Sequence, residues 1–144
     1  MQKKNFVEKD ILHALQNGMK DRPIEFESVE NGNGIGFPDV IVKGAVLSFI
    51  ELKKIDAFPK RATTEIKIPF RPGQIAWIKR FLKLTKGTDV LLMLLIADKF
   101  FIFKNENIKE IYSFSELETC CVYFDVFKDI DFEKIYIILM QGRR

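Results

Sequence analysis

The core of the fold is specified by GFPDVIVKGAVLSFIELKK, residues 36–54, in which two short apolar runs are joined at Gly44. This pattern predicts a β-hairpin, because apolar runs on either side of a glycine turn are typical of paired strands. Strands rich in Val, Ile, Leu and Phe are usually buried, and a buried charge without a partner is costly. Yet Asp39 begins the first run, and Glu51 and Lys53 end the second. These three charges either lie at solvated strand ends or meet at a site that uses them.

The second interpretation has a definite chemistry. Side chains alternate across a strand, so Glu51 and Lys53 face one side and Leu52 faces the other. If the two runs pair, Asp39 lies near Glu51, and two carboxylates held close together repel each other unless a proton or a cation intervenes. Oxygen ligands favour a hard cation such as Mg²⁺ or Mn²⁺. Because Lys53 could then orient or deprotonate an attacking water, the arrangement suits phosphodiester hydrolysis.

The positive charge of the chain is concentrated just after this hairpin. Residues 52–86 hold ten lysines and arginines and two acidic residues, a charge of +8 that leaves −5 for the remainder of a chain whose net charge is +3. Such asymmetry indicates a polyanionic partner, with a solvated basic helix as the alternative. We predict DNA contacts from eight of these basic residues: Lys54, Lys60, Arg61, Lys67, Arg71, Lys79, Arg80 and Lys83.

Hydrophobic periodicity predicts the remaining elements. Helices are predicted at 4–17 and 73–86, strands at 24–30, 38–43, 45–53, 89–97 and 99–104, a glycine-rich turn at 31–36, and an irregular basic connection at 54–72. Beyond residue 105, the segment 107–114 fits a strand or a short helix, 121–127 fits a strand, and 131–141 fits a closing helix. The order α-β-β-β-α-β predicts an α/β layer protein with helices packed on a central mixed sheet.

Several classes of protein are disfavoured by composition. No apolar run approaches the roughly 18 residues of a membrane span, and the charged N-terminus lacks the apolar segment of a signal peptide. The two cysteines, Cys120 and Cys121, are adjacent, which suits a reducing compartment. We therefore expect a cytoplasmic protein without a membrane partner, and no zinc site built from cysteine and histidine alone.

The motifs resemble a known family. GFPD at 36–39, followed after eleven residues by ELK at 51–53, resembles the signature of the PD-(D/E)XK nucleases. RPGQIAWIKRF at 71–81 more narrowly resembles the VRR-NUC (virus-type replication-repair nuclease) branch, which is related to archaeal-type Holliday junction resolvases. The resemblance covers about residues 5–103 and implies a restriction-endonuclease-like three-layer core. We expect one nuclease domain over the whole chain, with 104–144 as an extension.

The resemblance also implies roles for particular residues. Asp39, Glu51 and the Leu52 main-chain carbonyl become metal ligands, for Mg²⁺ or for Mn²⁺ as a substitute. Lys53 becomes the catalytic lysine, and Gln74 becomes an active-site helper.

Members of the family often add an acidic residue from the first helix. Glu8 is the best match, because its position places it one turn before Leu12 on the inward side of the predicted helix. Asp10 is the alternative ligand. The other possibility is that Glu8 is a solvated surface residue without a role in the site.

The function implied is a metal-dependent DNA endonuclease of replication, recombination or repair, of the kind found in phages and in bacterial or phage-infected cells. A chain of 144 residues has little room for a separate sequence-reading domain, which favours cleavage of branched DNA such as four-way junctions or flaps. The alternatives are a duplex-cleaving restriction-type nuclease and a non-catalytic nucleic-acid-binding module of the same fold. A binding module has no need for the trio Asp39, Glu51 and Lys53, which argues against the second.

Paired cuts in a four-way junction require two active sites, so we expect a homodimer. The C-terminal third carries aromatic residues that either form the dimer face or complete the core: Phe114, Tyr123, Phe124, Phe127 and Phe132.

Overall fold

The computed structural model describes residues 6–29 and 35–143. The helices are α1 (Glu8–Gly18), α2 (Gln74–Leu84), α3 (Phe114–Cys120) and α4 (Phe132–Met140), and the strands are β1 (Glu25–Ser28), β2 (Val40–Lys43), β3 (Leu47–Ile55), β4 (Ile66–Lys67), β5 (Asp89–Ile96), β6 (Lys99–Lys104), β7 (Ile111–Tyr112) and β8 (Tyr123–Val126). None of the helices in these described ranges is long and apolar enough to cross a membrane.

Six strands form the central sheet in the order β1-β2-β3-β5-β6-β8. The pair β3–β5 is parallel, and the other four pairs are antiparallel, so the sheet is mixed. Parallel neighbours need a crossover connection, and α2 supplies it between β3 and β5. A second, small sheet pairs β4 with β7. The predicted α/β fold, with a central mixed sheet flanked by helices, is confirmed.

Helices cover both faces of this sheet. All eight residues of β5 are buried, which explains why the strand is a continuous apolar run rather than an alternating one. On one face, α1 and α4 pack Ile11, Leu15, Ile135 and Leu139 against Ile50, Leu52, Leu91 and Met93. On the other face, α2 and α3 pack Ile78 and Leu117 against Leu92, Leu94, Phe101 and Phe103. Each fully buried side chain of this kind stabilises the fold by roughly 1.5–3 kcal/mol.

Element boundaries differ from the prediction by a few residues. The first helix begins at Glu8 rather than residue 4, and the second ends at Leu84 rather than residue 86. The connection at 54–72 is not wholly irregular, because Ile66–Lys67 pairs with Ile111–Tyr112. Two-residue strands carry no periodicity, so the sequence gives no local signal for them. Most of the predicted turn at 31–36, and residue 30 of the first predicted strand, lie outside the described residues.

The last forty residues add to both the central sheet and the helices that cover it. Strand β8 extends the sheet at β6, and α4 packs beside α1. Most of the aromatic residues considered for a dimer face pack inward: Tyr123 and Phe127 are buried, and Phe114 and Phe132 are partly buried. Phe124 remains 46% exposed, with its ring stacked on Phe101.

Candidate active site

Asp39 lies where the hairpin strands stop pairing. Strand β2 begins at Val40, opposite Ile50, whereas β3 continues to Ile55. The main chain of Leu52 therefore has no strand partner on this side, and its N–H donates to the Asp39 carboxylate at 2.8 Å. A strand residue directs its N–H and C=O to the same side, so the Leu52 carbonyl faces this edge as well.

Glu51 is a carboxylate buried under α2. It is 0% exposed, and its Oε1 accepts a hydrogen bond from Gln74 Nε2 at 2.8 Å. Its Oε2 is buried and has no hydrogen-bond partner among the described residues. Burial and the adjacent Asp39 carboxyl raise the pKa of Glu51 to about 9, against the opposing charge of Lys53. Glu51 therefore holds a proton at neutral pH unless a further cation lies beside it.

Lys53 follows Glu51 on the same face of β3 and is only 4% exposed. Its Nζ lies 3.5 Å from Glu51 Oε1 and 5.7 Å from the centre of the Phe70 ring. A buried ammonium requires compensation, which this carboxylate and this aromatic face supply.

The start of α2 closes the site. Gln74 is 1% exposed and joins two groups: its amide nitrogen donates to Glu51, and its amide oxygen accepts from Arg71 N–H at 2.7 Å. The Arg71 guanidinium lies 3.6 Å from Asp39 Oδ1 and is largely exposed. The sequence indicated Gln74 as a helper but gave no sign that Arg71, predicted to contact DNA, would also contact Asp39.

Two glycines hold the Asp39 loop against the start of α2. Gly36 and Gly73 have φ angles of +86° and +90°, which residues with a Cβ rarely adopt. A Cβ on Gly36 would lie 2.2 Å from the Gly73 carbonyl oxygen, so the two turns meet backbone to backbone. Each glycine stands within a quoted motif, yet the contact between them is not visible in the sequence, because 36 residues separate them.

The first helix brings one carboxylate toward this cluster. Partial burial raises the pKa of Glu8; the charge of Lys53 opposes this effect, and that of Asp39 adds to it. Glu8 is therefore within electrostatic reach of the site, although its side chain is exposed. The alternative, Asp10, accepts a hydrogen bond from Val7 N–H at 2.8 Å, at the start of α1.

The donor set fits a hard cation. Within residues 6–29 and 35–143, no three His, Cys, Asp or Glu side chains are grouped closely enough to hold a metal ion. A site here would therefore rest on the two carboxylates Asp39 and Glu51 and on main-chain oxygen. The unpartnered Glu51 Oε2 and the raised pKa of this carboxyl are what a cation between the two side chains would relieve.

The eight basic residues predicted to contact DNA differ in placement. Lys54 is partly buried and pairs with Asp56 at 2.5 Å. The other seven are exposed: Lys60, Arg61, Lys67, Arg71, Lys79, Arg80 and Lys83.

Comparison with known proteins supports the assignment of the fold. No family model matches the sequence, and no curated protein matches it either. The structure is similar to that of Hjc, a Holliday junction resolvase from the archaeal hyperthermophile Archaeoglobus fulgidus. The TM-score is 0.51 at 16% sequence identity, and the match covers 78% of this chain and 88% of Hjc. At this identity the similarity establishes the fold, which is the restriction-endonuclease-like α/β core that the motifs implied.

Proposed function

We propose that this protein is a divalent-metal-dependent endonuclease that hydrolyses phosphodiester bonds in branched DNA. One observation carries the proposal: a fully buried Glu51, with one oxygen unpartnered, lies beside Asp39 and Lys53 at the end of two paired strands. A stable fold has no use for two adjacent carboxylates of which one is buried. The similarity to a Holliday junction resolvase supports branched DNA as the substrate.

The groups that would hold the cation are Asp39, Glu51 and the Leu52 carbonyl. Glu8 is not grouped with these two carboxylates among the described residues, so we propose it as a further oxygen donor only if its exposed side chain turns toward them. We propose Mg²⁺ as the ion, with Mn²⁺ as a substitute, because every donor is an oxygen. The bound ion supplies Lewis-acid polarisation of the phosphodiester group.

The chain's own residues perform the other tasks. Lys53 orients the attacking water and offsets the negative charge that develops on the phosphate as the bond to the leaving oxygen breaks. Gln74 fixes the Glu51 carboxylate through Nε2 and fixes the Arg71 main chain through Oε1. The exposed Arg71 guanidinium has donors left for a phosphate of the substrate beside Asp39.

We further propose that the whole chain is one nuclease domain of the VRR-NUC type and that it acts as a homodimer. A four-way junction needs two coordinated cuts, and a two-fold dimer supplies two equivalent sites. Light scattering at micromolar concentration, with and without DNA, measures this directly. A monomer under both conditions would exclude paired cleavage and leave a flap or single-nick nuclease.

The test of the nuclease function is a panel of labelled duplex, flap, single-stranded and four-way DNA, each incubated with Mg²⁺, with Mn²⁺ or with a chelator. We expect metal-dependent cleavage of the branched substrates, and none by Asp39→Asn protein. Preferential cleavage of plain duplex would indicate a restriction-type enzyme. No cleavage of any substrate with either metal would leave a non-catalytic nucleic-acid-binding module.

A further inference from the structure

A groove leads away from the candidate active site along one side of α2. Its first part, of about 460 Å³, extends from Arg71 to Lys79. Its second part, of about 340 Å³, extends from Lys79 to Lys83. Ile75 and Lys79 line both parts, so the two depressions are adjacent on the same side of α2, and together we call them the α2 groove.

The α2 groove begins at the candidate active site. Arg71, which lines its first part, is the residue whose guanidinium lies 3.6 Å from Asp39. A helix rises 1.5 Å per residue, so Gln74 to Lys83 spans about 14 Å. At 3.4 Å per nucleotide, the rise of a strand stacked as in a duplex, that length corresponds to about four nucleotides, and to fewer when the strand is extended.

One rim of the α2 groove is positively charged. Lys79 and Lys83 are one turn apart on α2 and therefore project to the same side. Both are exposed, and among the described residues neither forms an ion pair with a carboxylate. With Arg71 they form a row of cations that leads away from the site, in which Lys79 and Lys83 are about 6 Å apart along the helix axis. Arg80 lines neither part of the groove, although it is the neighbour of Lys79 in sequence, so for a strand bound in the groove we no longer expect the DNA contact predicted for Arg80.

The floor of the α2 groove is apolar. It is made by Pro72, Ile75, Ala76, Ile78, Leu82 and Ile108. The faces of bases and sugars contact such a floor only when a strand is unpaired, because a duplex hides its base faces by stacking. A cationic rim beside an apolar surface is the combination by which proteins bind single strands without reading sequence.

The opposite wall carries two carboxylates. Glu106 is neutralised by Arg143, whose guanidinium lies 2.9 Å away. Glu110 also lines the groove and forms no ion pair among the described residues, so its carboxylate is available as a hydrogen-bond acceptor. Exocyclic amino groups of cytosine and adenine carry two N–H donors, of which pairing occupies one in a duplex, whereas both are free in a single strand. The charges therefore orient a strand with its phosphates along α2 and its base edges toward Glu110.

We propose that the α2 groove binds an unpaired DNA strand of about four nucleotides that continues from the scissile phosphate. This inference rests on the proposed function and narrows its substrate to branched DNA with a single-stranded arm, such as a flap or a splayed end. A fully paired four-way junction has no strand that fills the groove.

The test measures binding of fluorescent dC8 to the full-length, metal-free protein by anisotropy, over a range of salt concentrations. Lys79→Gln and Ala76→Glu alter the groove, and Arg80→Gln removes the same charge from the same helix outside it. For a single strand, the plot of log K against log salt has a slope of about −0.7 per neutralised phosphate. We expect Lys79→Gln to reduce the slope by about 0.7, Lys79→Arg to restore it, and Arg80→Gln to leave it unchanged. Ala76→Glu should abolish measurable binding.

A second measurement tests the orientation of the strand. Thymine lacks an exocyclic amino group, so wild-type protein should bind dC8 more tightly than dT8, and Glu110→Gln should reduce that ratio toward one. An equal affinity for the two oligonucleotides in wild-type protein would overturn the placement of base edges at Glu110.

The outcomes separate this inference from the nuclease function. If wild-type protein cleaves branched DNA but Lys79→Gln and Arg80→Gln affect dC8 binding equally, the groove is not the strand path, and the inference is wrong while the nuclease stands. If dC8 binding depends on Lys79 and Ala76 but no substrate is cleaved, the groove stands as a single-strand site and the nuclease function is wrong. Loss of both cleavage and groove-dependent binding overturns both.

Discussion

Two buried carboxylates on neighbouring strands have opposite surroundings. Asp89 begins β5 opposite Ser48, and Glu51 lies three residues further along β3, about 10 Å away along the sheet. Asp89 Oδ1 accepts a hydrogen bond from Asn105 at 2.8 Å, and Asp89 Oδ2 lies 3.0 Å from Lys104 Nζ. One buried oxygen of each carboxylate, Asp89 Oδ2 and Glu51 Oε2, makes no hydrogen bond among the described residues. The difference lies in the neighbouring charges: Asp89 Oδ2 faces an ammonium, whereas Glu51 has Lys53 at 3.5 Å from its other oxygen and a second carboxylate beside it.

The difference separates a structural carboxylate from a functional one. Both side chains are almost fully buried, so both carry a large desolvation penalty. At Asp89 an ammonium and an amide satisfy the charge within the fold, and nothing further is needed. At Glu51 the fold adds repulsion from Asp39 instead of removing it. The cation and the phosphate of the proposed function would complete such an arrangement from outside the chain.

The largest expected effect is on cleavage by variants of the candidate site. Asp39→Ala, Glu51→Ala and Lys53→Ala should each lower the cleavage rate by several orders of magnitude, because each removes a metal ligand or the water-orienting group. The matched control, Asp89→Asn, removes a buried carboxylate charge outside the site and should leave the rate per folded molecule unchanged. Rates on a flap substrate, with circular dichroism to verify folding, provide the measurement. A near-normal rate in any of the three alanine variants would remove that residue from the mechanism.

The next effect concerns stability, for which we expect substitution of Asp89 to be more damaging than substitution of Glu51. Asp89→Ala leaves the Lys104 ammonium and the Asn105 amide without their partner, so it should reduce the free energy of unfolding by about 3–5 kcal/mol. Glu51→Gln keeps the hydrogen bond with Gln74 within reach and removes a group that must take up a proton to be buried beside Asp39, so it should be neutral or stabilising in metal-free protein. Urea denaturation of both variants is the measurement. Equal destabilisation by the two substitutions would contradict the division into structural and functional carboxylates.

Strand periodicity in the sequence predicts where the residues of the candidate site lie, but it does not predict the contacts that hold them in place. Alternation along β3 placed Glu51 and Lys53 on one face, and pairing of the hairpin placed Asp39 near them; both follow from local rules. The contact of Gly36 with Gly73, the bond from Arg71 to Asp39 and the pairing of Asp89 with Lys104 and Asn105 depend on segments that are distant in sequence. No propensity or period encodes such contacts, because they exist only after the chain has folded.

The next effect, smaller per pH unit, appears in the pH dependence of stability. The folded-state pKa of Glu51, about 9, is above the ordinary value of 4.5, so between these values the folded protein retains a proton that the unfolded chain releases. The free energy of unfolding of metal-free protein should therefore fall as the pH rises from 4.5 to 9, by at most about 1.4 kcal/mol per pH unit from this group. Glu51→Gln should remove this slope, whereas Asp89→Asn should retain it. An unchanged slope in Glu51→Gln protein would show that another group carries it.

The smallest expected effect tests whether α1 takes part in the site. Glu8 interacts electrostatically with Asp39 and Lys53 but is exposed, so Glu8→Gln should reduce cleavage by about tenfold or less and should raise the Mg²⁺ concentration needed for half-maximal rate. Asp10→Asn is the matched control on the same helix turn. Its carboxylate accepts from Val7 N–H, a bond that the asparagine amide oxygen can also accept, so this substitution removes only the charge in the first turn; it should lower stability by at most about 1 kcal/mol and leave the Mg²⁺ requirement unchanged. A shift in the Mg²⁺ requirement for Asp10→Asn but not for Glu8→Gln would assign the fourth oxygen donor to Asp10, and no shift in either would assign it to water.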